Sequence, residues 1–367
     1  MPPVWMWIIG FLLLLGPLVT IHELGHYIVG RWCGVKADAF SIGFGREIAG
    51  WTDKRGTRWK LSVLPLGGYV QFAGDMGPTS QPNEEWLKLP DWEKEMSFHV
   101  KPLWQRALIV AAGPVTNLLF AVAIFASFNL ILGRPDAAPV VTTFMEQSAA
   151  RDAGMKLGDR IVSIDGDAIS DFSDVKQKTL MFPGKHISVT VDREGQRLTI
   201  PVTLADTTIA DDLGNEQRVG LLGLITQIHF VAVGPIEAVT LAVSQTRDVI
   251  STMITGLGQI ISGTRSFREL GGPLKIAQYS GESLAQGPLP FVSLVALISI
   301  NLAFINLLPI PALDGGHLAF YAAEAVRRKP VGPRSQEWAF RTGVALVLAL
   351  MLFVTINDIA SLPVFGN

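Results

Sequence analysis

The sequence predicts a membrane protein: a four-helix transmembrane α bundle with a membrane-associated β-hairpin or sheet region and one extracytoplasmic α+β domain. Three observations predict it. Mean hydropathy is +0.36 and only 17% of the residues are charged, too apolar for a purely soluble chain of 367 residues. Uncharged runs cover residues 4–21, 107–133, 283–313 and 342–357, each near or above the length that crosses roughly 30 Å of hydrocarbon. Between these runs lie shorter stretches with strand-like alternation and Gly-rich turns.

The first run has no Lys or Arg before it and no small-x-small cleavage site after it, so it is expected to remain in the mature protein. It leads into His22-Glu23-Leu24-Gly25-His26. A stretch rich in Lys and Arg from Arg31 to Lys101 follows, and Arg327, Arg328, Lys329, Arg334 and Arg341 separate the third and fourth runs. By the positive-inside rule both loops are cytoplasmic, which places the segment from Arg134 to about Gly287 and both termini outside. The expected divisions are a first span at 1–30, a membrane-dipping β region and loop at 31–102, a second span at 103–133, and an outer domain at 134–228. An outer amphipathic segment at 229–287, a third span at 288–326, and a loop with the fourth span at 327–367 complete the chain. Within 31–102, the polar segment 75–95 reads as a cytoplasmic loop. Cys33 is the only cysteine, so no intrachain disulfide forms. A net charge of −2 gives no reason to invoke nucleic acid as a partner.

On a helix, positions i and i+4 share a face, so His22 and His26 can direct imidazole nitrogens at one Zn²⁺ ion about 2.0–2.1 Å away. Glu23 stands beside them, placed to take a proton from water. Ionisable residues inside a span are costly and mark function. A catalytic zinc site needs a third protein ligand. The metzincin pattern fails because Val29 and Trp32 occupy its positions. Glu47 is available, but Ser41 to Glu47 reads as Gly-rich turn or strand rather than helix. Asp314, in the run from Asn306 to His317, sits at the cytoplasmic end of the third span, as His22 does for the first. Pro309 and Pro311 predict that the third span unwinds just before Asp314, which is tolerable at membrane depth only beside protein or a water-filled cavity.

The HExxH motif together with Asn-Leu-Leu-Pro-Ile-Pro-Ala-Leu-Asp-Gly-Gly-His over 306–317 resembles the site-2 protease family of intramembrane zinc metalloproteases, and within it the bacterial RseP-type branch. The resemblance also carries Gly43-Phe44-Gly45, the run from Pro65 to Val70 with Gly67 and Gly68, and Ala112-Gly113-Pro114-Val115-Thr116-Asn117. It implies that His22, His26 and Asp314 bind zinc, that Glu23 is the catalytic base, and that Asn306 contacts substrate or transition state. It also implies that Gly43, Phe44, Gly45, Gly67 and Gly68 belong to a sheet meeting the substrate. The implied substrates are single-span membrane proteins after a first cleavage, such as anti-sigma factors, and remnant signal peptides, in the bacterial inner membrane. The segment from Ser148 to Gly166 resembles the helix, Gly-Asp turn and strand of bacterial PDZ domains, and residues 189–204 read as two strands around Glu194-Gly195. Only one such domain fits, where the best-known members carry two.

Residues 234–263 read as an amphipathic helix on the outer leaflet, because a fifth span would put Asp314 on the wrong side from HExxH. His99, His186 and His229 read as ordinary surface or packing residues, and His317 as a supporting neighbour of Asp314. Two other classes compete with the protease: a catalytically silent PDZ-containing membrane binding protein, disfavoured by intact Glu23, and a metal transporter, disfavoured by the lack of a file of polar residues across the spans.

Overall fold

A computed structural model describes residues 2–73, 94–210, 216–226, 229–266, 271–329 and 331–360. Apart from its last two residues, the polar 75–95 loop lies outside the described residues. The chain forms two compact units, one of residues 2–124 and 271–362 and one built mainly of residues 125–270.

The first unit holds helix α1 (Val4–Trp32), strands β1 (Ala37–Thr52) and β2 (Arg58–Phe72), and most of helix α2 (Leu103–Leu132). Among the described residues four helices are long and apolar enough to cross a membrane, α1 and α2 included. In α1 the buried residues Gly10, Leu14, Leu18, His22 and Gly25 recur every three or four positions, forming one inward stripe that carries His22 into the interior. Trp5, Ile8 and Leu13 are more than half exposed, an outward apolar face suited to lipid. Small residues let α1 and α2 meet closely: a Cβ on Gly25 would lie 2.5 Å from the Ala112 carbonyl oxygen.

The third uncharged run is broken twice, once just before the span expected over 288–326 and once within it, where Pro309 and Pro311 predict unwinding. Gly287, at φ 123°, separates α6 (Pro273–Gln286) from α7 (Pro288–Leu307), and residues 308–313 leave the helix before α8 (Asp314–Arg327) begins. The cause is Pro309 and Pro311, which supply no backbone N–H. Gly315 and Gly316 let this segment fold back on the first turn of α8; a Cβ on Gly316 would lie 2.8 Å from Pro311 Cα. Ala312 is held at φ 91°, a conformation that costs a non-glycine residue about 1–3 kcal/mol. The last span, α9 (Pro333–Ala360), is longer than its uncharged core.

The expected outer segment 229–287 also divides. Its last part, α6, belongs to the first unit, where a Cβ on Gly10 would lie 2.7 Å from the Ser280 carbonyl carbon. The Asp358 carboxylate of α9 accepts from the Gly272 and Lys275 amides at 3.0 and 3.1 Å, capping α6 with a negative charge at its N-terminus.

Strands β1 and β2 are not a simple hairpin. Residues 39–42 have partners on both sides, 58–61 and 68–71, while 47–52 pair with 58–62. Gly43 and Gly45, both at φ 91°, permit the register shifts that bend β1 between these pairings. Ile48, Trp51, Val63 and Leu64 are more than half exposed, giving the hairpin an uncovered apolar surface.

The second unit contains strands β3 (Arg134–Asp136) and β4 (Thr143–Phe144), helices α3 (Ala149–Asp152) and α4 (Phe172–Thr179), and a sheet ordered β6-β5-β7-β8, from β5 (Arg160–Ile164), β6 (Asp167–Ala168), β7 (His186–Arg193) and β8 (Gln196–Thr203). The β5–β6 and β7–β8 turns, Asp165-Gly166 and Glu194-Gly195, have positive φ at both residues, the geometry that matches strand twist in two-residue hairpins. Ile161, Ile164, Val189, Val191 and Val202 fill its core, with Leu204 beside them. Helix α5 (Pro235–Ile261) belongs to this unit, Gln259 Nε2 donating to the Met181 carbonyl at 2.7 Å.

Asp159 is fully buried, and the Arg193 guanidinium that bonds both of its oxygens at 2.7 Å holds its carboxyl below the usual carboxylate range. Its stabilisation is therefore complete above the unfolded value of about 3.9 and is lost as pH falls below that toward the depressed folded value. Arg193→Ala is expected to destabilise this unit by about 3 kcal/mol near neutral pH. Hydrogen exchange of the β7 and β8 amides in the full chain should show the gap from wild type narrowing as the medium is acidified through that window.

Candidate metal centre

The inward stripe of α1 and the first residue of α8 bring three side chains to one point. His22 Nε2 lies 3.2 Å from His26 Nε2 and 3.1 Å from Asp314 Oδ2, and His26 Nε2 lies 3.6 Å from the same oxygen. A tetrahedron with centre-to-corner bonds of about 2.0–2.1 Å has edges of about 3.3–3.4 Å, so this triangle matches one face of a zinc coordination shell. Among the described residues, His22, His26 and Asp314 are the one group of histidine, cysteine and acidic side chains that could hold an ion. Asp314 Oδ2 is buried without a hydrogen-bond partner. A buried carboxylate oxygen left unpaired is costly unless a cation neutralises it. The residues present therefore fit zinc.

The ligands are held from behind. His26 Nδ1 donates to the Ile109 carbonyl of α2 at 2.8 Å, which leaves the lone pair on Nε2, the atom facing the centre. Gly113 closes the approach: a Cβ there would contact His26 Nε2 and lie 2.8 Å from His22 Nε2, so only hydrogen fits beside the ligand atoms. Asn117 meets His22 Nδ1 at 3.2 Å.

Glu23 lines a cavity of about 150 Å³ together with His26, Val70, Asp314, His317 and Tyr321. That volume holds a few waters at about 30 Å³ each. Its Oε2 accepts from the Val70 amide at 3.2 Å. Val70 belongs to segment 68–71 of β2, which among the described residues pairs within the sheet with 39–42 alone, so Glu23 stands at an open strand edge.

The other expected site residues separate into two groups. Gly68 is close to Glu23, since a Cβ there would lie 3.6 Å from Glu23 Cγ, and Phe44 stacks on Tyr69 at 6.2 Å and contacts Gly67. Gly43 and Gly45 shape the bend of β1 and touch none of the three ligands. Asn306, half-buried in the last turn of α7, makes no side-chain hydrogen bond among the described residues. Glu47 is absent from the centre; its Oε1 pairs with Arg58 Nη2 at 2.5 Å. His317 lines the cavity without joining the ligand group. Gly113 and Asn117 were not expected at the centre, although an asparagine in an apolar span is itself a signal.

Apolar helices around an HExxH centre completed by a distant aspartate define a membrane metalloprotease. The model of peptidase family M50 matches residues 10–350, and the chain belongs to that family, the site-2 proteases. It is 44% identical over 362 residues to a candidate zinc metalloprotease of Agrobacterium fabrum, covering 97% of this chain and 96% of that protein. It is 43% identical over 355 residues to a similar protein of Rhizobium meliloti, 95% of each. With metalloprotease MmpA of Caulobacter vibrioides it shares 34% over 383 residues, 98% of this chain and 96% of that one. The chain is thus a zinc metalloprotease of the site-2 type, a family that implies zinc as its metal.

Proposed function

We propose that this protein cleaves transmembrane segments of single-span membrane proteins, anti-sigma factors or remnant signal peptides, after a first cut has removed their outer domains. The observation that carries the reading is the meeting of His22, His26 and Asp314 with Glu23 at the open edge of β2. His22, His26 and Asp314 would hold the zinc, which when bound supplies a Lewis acid for the scissile carbonyl. Glu23 Oε2, aimed by the Val70 amide, takes the proton of the attacking water and returns it to the leaving nitrogen.

A transmembrane helix hides its carbonyls in its own hydrogen bonds, so the substrate must be drawn into extended form. The edge at 68–71 offers replacement bonds by strand addition. Phe44, Gly67 and Gly68 lie along that approach and Gly43 and Gly45 set its bend, while the apolar surface of Ile48, Trp51 and Val63 suits insertion into the bilayer. Asn306 is kept as a contact for the substrate. The basic loops support an inner-membrane topology with both termini and the outer domain, read as a single PDZ domain, in the periplasm and the active centre toward the cytoplasm.

In this reading the outer domain filters substrates by size. Purified enzyme is expected to cut a single-span substrate lacking its folded outer domain and to spare the same substrate with that domain attached. Equal cleavage of both forms would remove the filter, and cleavage of neither would remove the substrate class.

A further inference from the structure

We infer that Asn117 is a positioning residue for His22, its amide oxygen accepting the His22 Nδ1 proton so that Nε2 presents a lone pair to the metal. The inference rests on the zinc reading above. Asn117 is fully buried in α2, one turn beyond Gly113, and its amide is placed with Nδ2 3.2 Å from His22 Nδ1, so the inferred bond requires the amide turned over. The other amide heavy atom has no hydrogen-bond partner, and the Asn117 backbone carbonyl accepts from the buried Ser299 hydroxyl of α7 at 2.8 Å. The amide is thus anchored with one polar end spent on the histidine.

A carboxamide fills the same space with oxygen and nitrogen exchanged by a half-turn about its Cβ–Cγ bond. With nitrogen toward the ring, Nδ1 must accept and the ring proton moves to Nε2, the atom that faces His26 and Asp314. With oxygen toward the ring, Nδ1 keeps the proton and Nε2 is free to ligate. The second arrangement alone makes both histidines alike, since the Ile109 carbonyl already imposes that tautomer on His26. Leucine has the same branching and number of heavy atoms and buries no polar group, so asparagine at this position in an apolar span marks the bond rather than the packing.

Zinc affinity of the full-length protein in detergent, read by competition with a chelator, tests this. Asn117→Leu is expected to weaken zinc binding by about 10–100-fold, the range for lost partners of metal-bound histidines. Asn117→Asp, an acceptor that cannot donate, is expected to stay within a few-fold of wild type. A role in keeping the span apolar and filled forecasts the reverse order, because leucine keeps the branched shape and stays apolar while aspartate buries an unpaired charge. Leucine binding zinc as tightly as wild type, or aspartate losing as much as leucine, would overturn the inference. If the leucine variant aggregates, Asn117→Ala replaces it with the same expected loss. Wild-type protein without zinc affinity would instead defeat the metal reading itself.

Discussion

Glu23→Gln is expected to lower the rate of peptide cleavage by about 10²–10⁴-fold, the usual contribution of a positioned acid–base group, while zinc content stays at the wild-type level. The amide has the shape of the carboxylate, and its oxygen can still accept from the Val70 N–H, so the pocket and strand edge are preserved. What is lost is the ability to take the proton of water. Glu23 is not one of the three converging ligand side chains, so the metal has no reason to leave. Metal analysis and a cleavage assay on the same preparation check both halves. Activity near wild type would remove Glu23 from the chemistry.

Gly113→Ala is expected to empty the metal centre although it adds only one methyl group. The added Cβ would fall against His26 Nε2 and 2.8 Å from His22 Nε2, closer than real Cβ contacts come, and it would do so at the ligand atoms themselves. Relief requires α2 to move away from α1, which also draws the Ile109 carbonyl off His26 Nδ1. Activity should fall by ~100-fold or more, the upper end of what disturbed metal surroundings cost. Gly16→Ala is the control, since a Cβ there meets nothing within 4 Å in the same apolar helix α1, and alanine favours helix. Zinc retained in Gly113→Ala, or lost equally in both variants, would contradict the close approach of α2.

The parts of this site that are local in sequence were legible there. His22, Glu23 and His26 share one helical stretch, and the 3.6-residue period alone places the two histidines together. Asp314 is nearly three hundred residues away; topology brought it to the same depth, and the family resemblance chose it over Glu47. The unwinding before Asp314 followed from Pro309 and Pro311. The turns Asp165-Gly166 and Glu194-Gly195 followed from residues that accept positive φ.

What was hidden depends on which helix meets which. Gly113 and Asn117 lie in a stretch that the resemblance carries, but their place beside the histidines shows only once α2 lies against α1. Hydropathy also grouped α6 with the segment before it, although Gly10 and Gly281 seat it on α1. The double pairing of residues 39–42 also escaped, since alternation reports strands but not their partners.

The central claim is that His22, His26 and Asp314 are the metal ligands, and zinc content of purified full-length variants tests it most directly. Wild type and Glu47→Ala are expected to carry about one zinc per chain, as a site with three protein ligands does. Asp314→Ala, which leaves two histidines and an open face, should carry little. A Glu47→Ala protein without zinc beside an Asp314→Ala protein that keeps it would contradict the account.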